Sequence, residues 1–104
     1  MENKYAVELT LRAQSDLRDI AAFHLVKVGP VSAKNVTTAI LDQIELLGAF
    51  PEMGSRPMAA LIAEASFRYI VVRKYLCFYS VTGETVYVHH IVHGSTDYIK
   101  RLFE

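Results

Sequence analysis

The chain has 104 residues, and with 52% hydrophobic and 21% charged side chains it is composed for a packed core rather than for disorder. Eleven Lys and Arg cancel eleven Asp and Glu, which excludes the basic excess of a free-standing nucleic-acid binder, whose affinity comes largely from neutralising phosphates. The single cysteine, Cys77, excludes an internal disulfide and a thiolate zinc site, and a chain of this size buries roughly 65% of its unfolded surface without either.

These quantities predict one domain over residues 1–104. No apolar stretch follows the first four residues, so a secretory signal is not expected. The longest uncharged run begins at Thr85 and is broken by three His, Gly94, Ser95 and Thr96, too polar for a membrane span. A cytoplasmic protein with no membrane association is the expectation. Residues 1–52 hold five basic and seven acidic groups, residues 53–104 six and four. Any basic surface is therefore local to the C-terminal half, and contact with DNA or RNA requires a larger partner; no autonomous nucleic-acid binding is expected.

Tyr5, Val7, Leu9 and Leu11 alternate with other residues, the period-2 signal of a half-buried strand. Thr10 is placed to cap a helix. From Ala13, apolar and large side chains recur at Leu17, Ile20, Ala21, His24 and Val28, spacings of three and four that define one helical face, with Asp16, Arg18 and Asp19 expected on the other. Gly29-Pro30 ends this segment. A second helix is predicted from Ser32, its buried face carrying Val36, Ala39, Ile40, Ile44 and Leu47 and its outer face Asp42 and Glu45; Gly48 and Pro51 close it. A link this short makes the two helices an antiparallel hairpin. Pro51 to Gly54 reads as a turn, Arg56-Pro57 as extended chain, and Met58 to Ala63 as one or two helical turns.

The last third changes period. Phe67 to Arg73, Tyr75 to Val81 and Thr85 to Val92 are rich in aromatic and β-branched residues, separated by Lys74 and by Thr82-Gly83-Glu84. Links so short permit only hairpins, so these strands form an antiparallel meander. Ser95 or Thr96 caps a final helical turn anchored by Leu102 and Phe103. The expected fold is α+β: an N-terminal strand at the sheet edge, an antiparallel two-helix hairpin packed on a mainly antiparallel four-stranded sheet, and a short C-terminal helix.

Few residues carry a chemical signal. His89-His90-x-x-His93 invites a metal, but on a strand neighbours point to opposite faces and residues 89 and 93 stand about 13 Å apart, so no metal is expected. His93, at the rim where the last strand meets Gly94, is a candidate proton shuttle; the alternative is a hydrogen-bonded structural histidine. Arg68, Arg73 and Lys74 form the densest basic group, and a guanidinium fork suits phosphate or carboxylate; the alternative is a solvated edge that resists aggregation. Tyr69, Tyr75, Tyr79, Tyr87 and Tyr98 offer stacking platforms or, more ordinarily, core and cross-strand packing. Cys77, between Leu76 and Phe78, reads as buried and inert. There is no Gly-rich phosphate loop, and no cofactor is expected.

Ala13-x-x-Asp16-Leu17-x-x-Ile20, Leu47-x-x-x-Pro51-x-x-Gly54, Phe67-Arg68-x-x-x-Val72, Tyr75-x-x-x-Tyr79 and Ile91-x-His93-Gly94-x-x-Asp97-Tyr98, in that order, resemble the RelE/ParE superfamily, the toxins of type II toxin–antitoxin modules, also known as plasmid stabilisation proteins. The resemblance implies a growth inhibitor neutralised by a cognate antitoxin. It implies one of two modes: binding to DNA gyrase, as ParE-like toxins do, or cleavage of mRNA on the ribosome, as RelE-like toxins do. A relic that keeps the fold and the antitoxin but not toxicity is a third outcome. In the ribonuclease mode the resemblance implies catalytic roles for Arg68, Arg73, His93 and Tyr98. Where the family commonly has Arg directly before the Asp, this chain has Thr96 before Asp97. Loss of one guanidinium facing a phosphorane lowers rate by about 10²–10³, which tilts the expectation toward binding.

Overall fold

The computed structural model describes residues 4–56 and 66–95. In chain order the elements are β1 (Ala6–Leu9), α1 (Leu11–Lys27), α2 (Pro30–Leu46), β2 (Arg68–Val72), β3 (Tyr75–Thr82) and β4 (Thr85–His93). The strands form one sheet in the order β1-β4-β3-β2. β2, β3 and β4 are the expected antiparallel meander, and β1 takes the edge beside β4. That outer pair is parallel, because α1 and α2 carry the chain back before the meander begins, so the sheet is mixed. The expected turns within Met58–Ala63 and the expected C-terminal helix lie outside the described residues.

β1 is shorter than the alternation suggests. Thr10 leaves the strand and caps α1, its hydroxyl accepting from the Ala13 amide at 3.1 Å and donating to the His89 carbonyl at 3.2 Å. Leu11, expected in the strand, is the first helical residue and 82% exposed. The face through Ala13 and Ile20 is buried as expected, whereas Val28 lies exposed in the link. Asp16, expected toward solvent, is on the buried face; positions 13, 16 and 20 share one stripe, and helical geometry overrides the side chain's polarity.

α2 begins two residues before Ser32. Gly29, at φ 144°, holds the N-cap position and Pro30 the first turn. Proline lacks an amide that would be unpaired there in any case, so here it starts a helix rather than only ending one. Val36, Ile40 and Ile44 form the buried stripe of this second helix, continued by Leu47 at its C-cap. They pack with Ala13 and Ile20 over the sheet residues Ile70, Val72, Cys77, Val86 and Val88, one cluster that holds hairpin and sheet together. Cys77 sits fully inside it, and burial pushes its thiol up to about 12.

Both hairpin loops have two residues, since Val72 pairs with Tyr75 and Thr82 with Thr85. Arg73 is therefore in the loop with Lys74, not in the strand. In each loop the first residue adopts a positive φ: 61° at Gly83 and 56° at Arg73. Glycine enters this region freely, while an L side chain is strained there. β4 carries a bulge: Phe78 faces His90 and Tyr79 faces Val88, leaving His89 as the extra residue.

The loop from Pro51 to Gly54 is stapled to the sheet by one phenol. The Tyr79 hydroxyl donates to the Pro51 carbonyl at 2.8 Å and accepts from the Gly54 amide at 3.0 Å. Burial raises the Tyr79 pKa, with the Gly54 hydrogen bond and the Arg68 charge acting in the opposite sense. A Cβ at Gly54 would collide with that hydroxyl and lie 2.8 Å from the Tyr69 carbonyl oxygen. Gly54→Ala is expected to destabilise the protein by about 1–3 kcal/mol through overpacking. Tyr79→Phe should have a similar cost, about 1–3 kcal/mol, because it strands a buried donor and acceptor; urea unfolding at constant slope measures both.

Candidate functional site

The meander distributes the expected site residues between two ends of the sheet. Arg68 opens β2 opposite Tyr79, and Arg73 follows Val72 at the other end of the same strand. Four residue steps lead from Arg68 to Val72, about 13 Å along the strand. His93 pairs with Tyr75 beside the Arg73 loop. Arg73 and His93 thus share one end, and Arg68 stands at the other. Tyr98, with Thr96 and Asp97, lies outside the described residues.

Arg68 is engaged where it stands. Its Nη1 donates to the Gly54 carbonyl at 3.0 Å and, more weakly, to the Glu52 carbonyl at 3.4 Å, joining Tyr79 in holding the loop after α2. His93 is exposed, and its Nδ1 accepts from the Ser95 amide at 3.1 Å with the Ser95 hydroxyl 2.7 Å away. Its ring meets the Tyr75 ring edge-on at 5.5 Å.

The three clustered histidines take separate partners. His89 Nε2 lies 2.7 Å from the Ser80 hydroxyl, and its ring packs against that of Phe67 at 4.9 Å, tilted by 46°. His90 Nδ1 lies 3.3 Å from the Asp16 carboxylate, which also accepts the Ile91 amide at 3.0 Å and has Arg12 Nε at 3.9 Å. Among the described residues, no group of three or more His, Cys, Asp and Glu is placed to hold a metal ion.

Two open cavities meet at Phe23, Tyr75 and His93, and Arg73 also lines a third, of about 450 Å³, with Pro30, Ser32 and Asn35. One, of about 380 Å³, is lined by Phe23, His24, Val36, Arg73, Lys74, Tyr75 and His93. The second, of about 480 Å³, runs along α1 past Asp16 and Asp19 to Val92 and Ser95, and shares Phe23, Tyr75 and His93 with the first. One side of the aromatic divide is cationic and the other acidic. At its base His24 bridges three elements, with Nδ1 3.0 Å from the Ser32 hydroxyl and Nε2 3.0 Å from the Tyr75 hydroxyl. The spacing places His24 on the packed face, where a polar ring on an apolar stripe signals that it needs partners without naming them. Beyond it, Leu25, Val26, Val28 and Val31 stand exposed around the tip of the helix hairpin, interrupted by Lys27.

A family model described as the ParE toxin of the type II toxin–antitoxin system parDE matches residues 7–98. Ten chains of solved structures match, among them one from the chromosomal ParDE system of P. aeruginosa, with a TM-score of 0.74 and 19% identity over 88% of this chain and 98% of that one. No curated protein sequence matches. Among the described residues no helix is long and apolar enough to cross a membrane.

Asp16→Ala removes the acceptor of a buried strand amide together with the carboxylate facing His90, and is expected to destabilise by about 3–5 kcal/mol, read as a fall in the urea midpoint. His89 supplies a pH signature. Burial first, and the His90 charge second, lower its pKa from the ordinary 6.5. The unfolded chain therefore takes up this proton more readily than the folded one. Stability is full above the unfolded value and falls as pH drops through 6.5 toward the depressed folded pKa. The melting temperature should decrease between about pH 7.5 and pH 5.5, and His89→Asn should flatten that slope.

Proposed function

Because the chain belongs to the ParE toxin family of type II toxin–antitoxin systems, we propose that it inhibits growth by binding DNA gyrase and is neutralised by a cognate antitoxin. The observation that carries the binding mode is the separation of the basic groups. Cleavage of RNA at a 2′-hydroxyl requires the cations and the proton-transfer group to converge on one phosphate within hydrogen-bond reach. Arg68 is instead tied to the Gly54 carbonyl, at the end of β2 away from Arg73 and His93. The missing Arg before Asp97 acts in the same direction. A binding inhibitor needs no such convergence. It needs surface, and the apolar hairpin tip supplies it for a protein partner.

The ribonuclease reading, with Arg68, Arg73, His93 and Tyr98 as catalytic residues, is the alternative. Purified protein is expected to inhibit gyrase supercoiling at micromolar concentration and to leave mRNA intact in a cell-free translation extract, with co-expressed antitoxin abolishing the inhibition. Cleavage of ribosome-bound mRNA that disappears in Arg68→Ala would overturn the binding mode in favour of the alternative. Activity in neither assay, with antitoxin still bound, would identify the non-toxic relic.

A further inference from the structure

The smaller cavity at the Arg73 end combines two features that packing alone does not require. The first is the direction available to its hydrogen bonds. A neutral His24 ring has one N–H and one bare nitrogen, so the chain Ser32–His24–Tyr75 runs in one of two senses. In one, Tyr75 donates to Nε2 and Nδ1–H donates to Ser32. In the other, Ser32 donates to Nδ1, Nε2–H donates to the Tyr75 oxygen, and the phenolic O–H is released toward the cavity that Tyr75 lines. The second sense aligns three donors head to tail and leaves the Tyr75 O–H at the end of the chain, and such chains polarise one another. An anion in the cavity selects it.

The second feature is Arg73 itself. Its backbone sits at φ 56°, in the loop position that Gly83 fills in the sister hairpin at φ 61°. The fold is therefore satisfied by glycine at this position, yet a long cationic side chain is held there against backbone strain. Strain of this kind is characteristic of ligand clamps. The loop is fixed in turn by the Gly94 amide donating to the Lys74 carbonyl at 2.8 Å.

We propose that this cavity binds a phosphate monoester. The Arg73 guanidinium and Lys74 ammonium face the phosphate, and Tyr75 donates to it through the His24–Ser32 relay. Two adjacent cations suit a dianion better than a carboxylate, and the guanidinium fork matches phosphate oxygens. About 380 Å³ exceeds what a bare phosphate fills and falls within the size range of small-molecule sites. Phe23 and Val36 supply an apolar wall for the body of the ester. Asp16 and Asp19 line the adjoining groove across Tyr75 and His93, so the anion is confined to the Arg73 side. The site is independent of whether the chain targets gyrase.

Adenosine monophosphate and inorganic phosphate, titrated separately into the full chain by calorimetry and by NMR of the histidine rings, test it. Both are expected to bind, the nucleotide more tightly, and to shift His24 to the tautomer protonated on Nε2. Arg73→Gly is expected to weaken binding by about tenfold or more without lowering the melting temperature, since glycine relieves the loop. Tyr75→Phe should weaken it by about three- to tenfold. Acetate at equal concentration should not compete. Absence of binding by either probe at millimolar concentration, or unchanged affinity in a folded Arg73→Gly variant, would overturn the site. Equal affinity for phosphate and nucleotide would overturn the role given to Phe23 and Val36.

Discussion

The architecture rests on how β4 is held along the edge that β1 does not cover. β1 pairs with β4 only from Thr85 to Val88, while β4 continues to His93. The chain leaves the sheet at Thr10, and α1 takes over the edge. The Thr10 amide donates to the Val88 carbonyl, its hydroxyl to that of His89, and the buried Asp16 carboxylate accepts the Ile91 amide. Thr10 and α1 thus supply partners to β4 backbone groups beyond the point where β1 ends. The helix hairpin is oriented by the same contacts, because Ala13 and Ile20 lie on the stripe that includes Asp16.

The opposite flank uses the same economy. Tyr79 reaches from the core to the loop between Pro51 and Gly54, and Arg68 closes over it. Several residues that carry the resemblance to the toxin family are therefore fasteners: Asp16 at one edge, and Pro51, Gly54, Arg68 and Tyr79 at the other. Their positions follow from the need to satisfy backbone groups where regular pairing stops. A family pattern assembled from such residues identifies a fold efficiently and says little about chemistry.

What the sequence disclosed and what it hid follow from the range of each interaction. The helices were legible because Val36, Ile40 and Ile44 repeat at 3.6-residue spacing, and the Thr10 cap because capping is local. The meander was legible because its links are too short for anything else. Asp16 departs from the expectation because angular position on the helix, not charge, decides which side chain is buried. Pro30, expected to end one helix, equally starts the next, because the signals for the two overlap. The engagement of Arg68 with residues 52 and 54, and the meeting of His24, Ser32 and Tyr75, join segments distant in sequence that no periodicity connects. The bulge at His89 was invisible for a different reason, since one additional residue in a strand leaves no spacing to recognise.

That additional residue has an arithmetical consequence. Tyr79 and Cys77, two apart on β3, face Val88 and Ile91, three apart on β4. All four point toward the helices although the number of steps differs between the strands. A chain shortened by residue 89 would keep every cross-strand partnership and recover an uninterrupted ladder. What it would give up is the extra right-handed twist that a bulge adds, and with it the anchorage of an imidazole between Ser80 and Phe67. Length variation at that point is thus decoupled from facing: the strand can gain or lose curvature one residue at a time without turning its buried side outward.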